Sequence, residues 1–247
     1  MLILITTRCS MGCSHCMSDC KPEGRDMSIA TFRDALDFSI NRYYPTPILI
    51  SGGEPSENPE FHEIIDHALS VLEKKHDGLL SLSILSNGTR LTENFLSRMD
   101  RTHISIQVVL DDRYYPQRPD VEMLSRHSSV LLCQDVQHLY PQGRALANHL
   151  PATANASKCF NTRAVVKQIK PKSLHELALR YNIGMQKFCS PNIGPEGEIR
   201  LGESFLCPPC SSIYKTDTEI INDIWNFKCH QCDFINDKLP EKYRQFL

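Results

Sequence analysis

The sequence lacks an excess of charge of either sign: 27 basic and 29 acidic residues leave a net charge of −2 over 247 residues. Without a basic surplus there is no electrostatic footprint for nucleic acid. It also lacks any apolar run approaching 18 residues, the length at which a membrane-crossing helix is read. The opening MLILITT has neither a basic n-region nor a small-residue cleavage site, so it reads as mature, cytoplasmic sequence. Low-complexity tracts are missing, and nothing repeats beyond strand–helix units, which excludes a solenoid array. Tryptophan is nearly absent, with Trp225 alone. These absences leave a globular chain with no nucleic-acid or membrane partner.

Cysteine is what the chain has in abundance. Eleven are present, at 9, 13, 16, 20, 133, 159, 189, 207, 210, 229 and 232. An odd number without a secretory signal makes a poor disulfide framework. In a reducing compartment, clustered thiols read first as metal or cofactor ligands. The length suits one core, or one domain with a small appendage.

Hydrophobic periodicity gives an alternating order of elements. Leu2–Thr7 reads as a buried strand and Ser28 as the N-cap of a helix. Pro47–Ser51 is a second strand, followed by Gly52-Gly53-Glu54-Pro55. Asn58 and Pro59 then open a second helix, which Gly78 ends. Leu79–Leu85, Ile104–Leu110 and Val130–Val136 read as strands, with helices over Thr92–Met99 and Asp120–His127. Such alternation implies parallel βα units, with ligands at the carboxyl ends of the strands. Residues 146–172 lack clear periodicity and read as a bridge. Ser173 and Glu176 form a capping box for a helix that ends at Gly184. Residues 185–202 read as a hairpin turning at Pro195-Glu196-Gly197, and Glu219–Phe227 as a short helix.

Cys9, Cys13 and Cys16 have the spacing C-x3-C-x2-C. Three thiolates on one short loop suit three irons of a [4Fe–4S] cube and leave the fourth iron open. A zinc site completed by His15 or Cys20 is the other reading of that spacing. The motif, placed directly after the first strand of a βα array, resembles the signature of the radical S-adenosylmethionine (SAM) superfamily. Gly52-Gly53-Glu54-Pro55 resembles that family's GGEP element, Asn87-Gly88 its Asn-Gly after the third strand, and Gln107–Asp111 its fourth-strand segment. Val109 stands where that segment often carries serine. His15 stands where an aromatic residue usually precedes the third cysteine. Gly143-Arg144-Ala145 resembles an element found late in many family barrels. The resemblance implies a partial (β/α) TIM-like barrel of about five or six parallel strands over residues 1–145. It further implies a [4Fe–4S] cluster on Cys9, Cys13 and Cys16, with SAM held near His15, Gly52, Gly53, Glu54, Pro55, Asn87, Asp111 and Arg144. In that family the reduced cluster cleaves SAM to a 5′-deoxyadenosyl radical that abstracts a substrate hydrogen. An external donor such as flavodoxin or ferredoxin supplies the electron.

The last quarter carries a second cysteine group. Cys207, Cys210, Cys229 and Cys232 have zinc-ribbon spacing. Cys189, followed by Gly202 and Cys207 and then a C-x2-C pair, instead resembles the Twitch and SPASM extensions. That resemblance implies an auxiliary [4Fe–4S] cluster on Cys189, Cys207, Cys229 and Cys232, within an extension spanning 173–247. A saturated second cluster implies electron transfer and therefore a net oxidation. The substrate is then a small polar metabolite or a peptide, the latter with a separate recognition protein. A metal-stabilised binding module without catalysis is the reading from outside enzymology. Cys20 reads as a loop thiol, Cys133 as a packed small hydrophobe, and His138 as a structural histidine.

Overall fold

In the computed structural model, the described residues are 1–43, 47–74, 81–136, 139–140, 142–151, 171–178, 191–202 and 204–227. Cys159, Cys189, Cys229, Cys232, His138, Gly78 and Gly184 lie outside them. The strands are β1 (Leu2–Leu4), β2 (Ile48–Ser51), β3 (Leu82–Ser86), β4 (Ile104–Val109), β5 (Val130–Cys133), β6 (Pro191–Ile193), β7 (Glu198–Leu201) and β8 (Pro209–Ser212). They form one sheet in the order β5-β4-β3-β2-β1-β6-β7-β8. β1 to β5 pair in parallel, each with its neighbour in sequence. The architecture is a mixed α/β partial barrel.

Register explains how one sheet serves both core and site. Ile3, Ile50, Ile84 and Ile106 are aligned partners across four strands. All four are fully buried under helices. β-branched side chains suit that pleated, covered surface. The alternate positions Leu2, Leu4, Leu49, Ser51, Leu85, Val109 and Cys133 face a cavity instead. A strand places successive side chains on opposite faces, so the alternation splits core from cavity residue by residue.

The helices lie where their caps put them. α1 (Ile29–Asp37) starts from Ser28, whose hydroxyl accepts from Thr31 N–H. α2 (Phe61–Lys74) buries Phe61, Ile64, Ile65 and Ala68 on one face. Asn58 does more than open it. The Asn58 amide donates to the carbonyls of Ile5 and Met27 and accepts from Glu60 N–H, so it pins β1 to both helices. α3 (Glu93–Met99) and α4 (Val121–Ser125) have Thr92 and Asp120 as N-caps. α5 (Gly143–Ala147) is a helix that the sequence periodicity did not announce. The segment 174–178 is helical, and Ser173 Oγ accepts from Glu176 N–H as expected, while the Glu176 carboxylate accepts from Lys172 N–H and not from Ser173. The closing helix, Asp217–Asn226, begins two residues before the expected Glu219, because Thr216 and Glu219 form its capping box.

The hairpin is continuous with the core. β6 runs parallel to β1, pairing Leu2 with Asn192 and Ile3 with Ile193. β7 returns antiparallel to β6 around a turn at Gly194 to Gly197. Arg42, at the end of the π-helical extension of α1, donates to the Ile213 carbonyl and pairs with Asp217 at 2.8 Å. These contacts join the C-terminal strands and helix to the first half of the chain.

Candidate active site

The loop after β1 carries Cys9, Cys13 and Cys16, and its path is set by backbone contacts. Cys9 N–H donates to the Lys21 carbonyl, and Ser14 N–H to that of Tyr114. Ser10 donates through both N–H and hydroxyl to Glu57, at 2.9 and 2.6 Å. Gly53 N–H and Glu54 N–H donate to the carbonyls of Thr6 and Arg8, each at 2.8 Å. Two glycines are therefore required by the chain itself. Gly52 has φ +146°, and a Cβ at Gly52 or Gly53 would collide with the backbone of Thr6 or Arg8. The same approach brings the glycine loop against the cysteine loop.

The four thiols of Cys9, Cys13, Cys16 and Cys20 pack as one group with Met11, Tyr115 and Phe205. The sequence left Cys20 as a loop thiol or a fourth zinc ligand; the structure places it, 5% exposed, in hydrogen-bond contact with Cys16. That bond lowers the Cys16 thiol below its ordinary range and raises that of Cys20. Burial pushes Cys9 up to about 11 and Cys13 up to about 12. Among the described residues, no group of three or more His, Cys, Asp or Glu side chains closes on a single metal-ion position. The donor set itself is all thiol and lines one cavity, which fits a thiolate-held cluster.

Glu54 is 1% exposed and lies behind the cavity wall. Its carboxylate accepts from Ser56 N–H and hydroxyl at 3.1 and 2.6 Å, from Ser86 hydroxyl at 2.8 Å and from Asn87 N–H at 2.7 Å. Burial raises its pKa, and those donors oppose the rise. Glu54 thus ties the glycine loop to the Asn-Gly loop after β3. Pro55 begins a 3-10 turn behind the same wall. Asp111 also turns away from the cavity: it binds Arg113 at 2.7 and 2.8 Å and accepts from Val136 N–H. These bonds hold its carboxyl below the usual carboxylate range.

His15, Gly52, Gly53, Asn87 and Arg144 line the cavity together with the cysteines. The His15 ring lies 5.1 Å from Tyr114 and 5.0 Å from Tyr115, and burial lowers its pKa. Neither tyrosine was visible as a site residue in the sequence, since nothing in their spacing marks them. Arg144 proves to be a clasp. Its Nε donates to the Cys13 carbonyl at 2.7 Å, and its Nη1 to Asp19 and the Cys20 carbonyl at 2.9 Å. Its N–H donates to the Cys16 carbonyl, and Asn148 reaches the Ser14 carbonyl. Gly143, with φ +54°, brings its backbone against that of Cys16 and Met17. An Arg144→Lys variant keeps the charge but loses the planar fork. It should release iron from the reconstituted first site several-fold faster under chelator challenge, with little change in Tm. Unchanged iron release would show that the clasp does not hold the loop.

The second cysteine segment touches the first. Ser204 donates to the Met17 carbonyl and Phe205 N–H to the Ser18 hydroxyl, at 2.9 and 3.0 Å. Cys207 is buried, and Gly202, with φ +120°, lies against its sulfur. Cys210 lies on β8 and is half-buried.

The cavity has a volume of about 780 Å³ and extends from the cysteine loop down the inner sheet face to Tyr43, Pro47 and Asn192. Among the described residues, no helix is long and apolar enough to cross a membrane.

Comparisons with known proteins agree with this geometry. Residues 3–118 match the model of the Radical SAM superfamily. Over 109 residues the chain is 29% identical to the mycofactocin maturase MftC of Mycobacterium tuberculosis (strain H37Rv), covering 43% of this chain and 26% of that protein. Over 112 residues it is 24% identical to the uncharacterized protein MJ0907 of Methanocaldococcus jannaschii, covering 45% and 38%. The match thus spans about a quarter of the length of MftC. Among solved structures, BtrN in complex with AdoMet and 2-DOIA superposes with a TM-score of 0.56 at 12% identity, covering 92% of this chain and 81% of that one. The protein anSMEcpe with bound AdoMet and a peptide gives 0.54 at 12% identity, covering 98% and 86%. At such identities these likenesses speak for the fold.

Proposed function

We propose, from the match of residues 3–118 to the model of the Radical SAM superfamily, that the protein reductively cleaves SAM, abstracts a hydrogen atom from a peptide and completes a net oxidation of it. The observation that carries the reading is the gathering of Cys9, Cys13, Cys16, His15, Gly52, Gly53, Asn87 and Arg144 around one cavity. A maturase among the relatives supports a peptide over a small metabolite.

Cys9, Cys13 and Cys16 would hold a [4Fe–4S] cluster, and with SAM it would supply a 5′-deoxyadenosyl radical. The chain's own residues do the positioning. Arg144 and Asn148 fix the cysteine loop from one side, and Ser10 with Glu57 from another. Glu54 holds the glycine loop against Asn87, so the two loops present a fixed edge to the methionine part of SAM. His15, between Tyr114 and Tyr115, walls off the loop side.

After hydrogen abstraction the substrate radical would still have to lose one electron, to an acceptor, and one proton, to water, to become a stable oxidised product. Cys207 with Cys189, Cys229 and Cys232 would ligate an auxiliary [4Fe–4S] cluster that takes this electron. The docking of Ser204 and Phe205 on Met17 and Ser18 supports a second redox site close to the first. Anaerobic reconstitution should therefore give close to eight irons per chain, four for each cluster. About four irons with one zinc would assign Cys207, Cys210, Cys229 and Cys232 to a zinc ribbon and remove the electron acceptor.

A further inference from the structure

Four buried side-chain nitrogens in the described residues have no hydrogen-bond partner: His15 Nδ1, Asn87 Nδ2, His127 Nε2 and Asn192 Nδ2. His127 Nε2 lies 3.5 Å from Glu93 and belongs to a buried histidine whose other nitrogen binds Asp100. The other three all line the one cavity. An unpartnered buried donor is a cost that a fold carries only for a reason, and a bound ligand that supplies the acceptor is such a reason.

Two of the three lie where SAM has already been placed. Asn192 does not. It is 1% exposed and lies in β6, in register with Leu2, whose other partner is Leu49. The glycine loop begins one residue past Ser51, which is level with Leu4. Three residues of strand therefore separate the Asn192 level from Gly52, a drop of about 10 Å at strand rise. The surroundings at that depth are Leu2, Tyr43, Leu49 and Pro191. The charged side chains among the described lining residues, Asp135 and Arg144, belong to segments beyond the strand ends; the Met1 amino group, next to Leu2 in the same lining, donates to the Pro47 carbonyl, and burial lowers its pKa to about 6. A deep, largely apolar chamber with an unpartnered side-chain amide suits an uncharged acceptor flanked by apolar groups.

We propose that the deep end of the cavity is a substrate-recognition subsite in which the Asn192 amide hydrogen-bonds a peptide carbonyl of an apolar segment. The subsite rests on the peptide reading above and adds to it where the substrate is held: beneath SAM, along β1 and β6. Asn192 thereby sets which residue of the peptide faces the rim.

Asn192→Leu tests it, because leucine has nearly the same volume and no polar atoms. Removing an unpartnered buried amide should raise the Tm of the ligand-free protein by about 2–4 °C. The affinity for SAM, the iron content and SAM cleavage without substrate should stay within twofold. Binding of N-acetyl-leucine N-methylamide, followed by saturation-transfer NMR, should fall at least fivefold relative to the unsubstituted protein, and Asn192→Gln should retain part of it. A lowered Tm would assign the amide to the fold. A tenfold loss of SAM affinity would assign it to SAM, and a loss of iron to a cluster. Equal probe binding in both proteins would also overturn the subsite. Failure of the peptide reading itself looks different: the probe then binds neither protein, while the Tm still rises.

Discussion

Replacing Cys9, Cys13 and Cys16 together with alanine is expected to abolish reductive SAM cleavage while the protein stays folded. The three thiols line the cavity on a loop past the end of β1. The main core lies elsewhere, on the helix-covered face of the sheet around Ile3, Ile50, Ile84 and Ile106. The loop keeps its backbone bonds to Lys21, Tyr114 and Arg144 whichever side chains it carries. The far-UV circular dichroism should match that of the unsubstituted protein. The iron of the first site and all release of 5′-deoxyadenosine should be lost. Undiminished 5′-deoxyadenosine from the triple variant would refute the central assignment.

Glu54→Ala should have the next largest effect, and on two quantities. The carboxylate is fully buried and accepts from Ser56, Ser86 and Asn87. Removing it strands several buried donors, a loss of about 3 kcal/mol in stability. For a chain of this size that lowers Tm on the order of 10 °C. The glycine loop and the Asn87 loop then lose their common tie. SAM affinity should fall by about 1.5–3 kcal/mol, or roughly 10–150-fold, in isothermal titration below the lowered Tm. A lowered Tm with unchanged SAM affinity would reduce Glu54 to a structural brace and make the resemblance of its motif accidental.

How far the sequence speaks for this site can be judged from single residues. The alternation of apolar segments located β1 to β5 because each strand is buried on one face and its ends carry turn residues. Ser28 announced its helix because a capping side chain is local chemistry. The cysteine spacing placed three thiols on one loop for the same reason: all three lie within eight residues. What was hidden is what depends on long-range packing. Arg144 reads as a ligand contact in sequence, yet its guanidinium is spent on the carbonyls of Cys13 and Cys20. Cys20 reads as spare, yet folding carries it back onto Cys16. Asn192 carries no motif at all. Its place in the cavity follows from β6 pairing with β1, a pairing across 190 residues that no local pattern encodes.

The clasp on the cysteine loop has a consequence for how the protein is made. Ser14 and Cys13 emerge early from the ribosome, but their partners come late. Tyr114 follows Ser14 by 100 residues, Arg144 follows Cys13 by 131, and Ser204 follows Met17 by 187. Contacts of such separation close only after the intervening chain exists. Nascent chains that end before Asn148 therefore carry the thiols with the Lys21, Glu57 and Tyr114 contacts but without the full clasp of Arg144 and Asn148. The fixed geometry of the three thiols is thus a late product of folding and not a property of the loop itself.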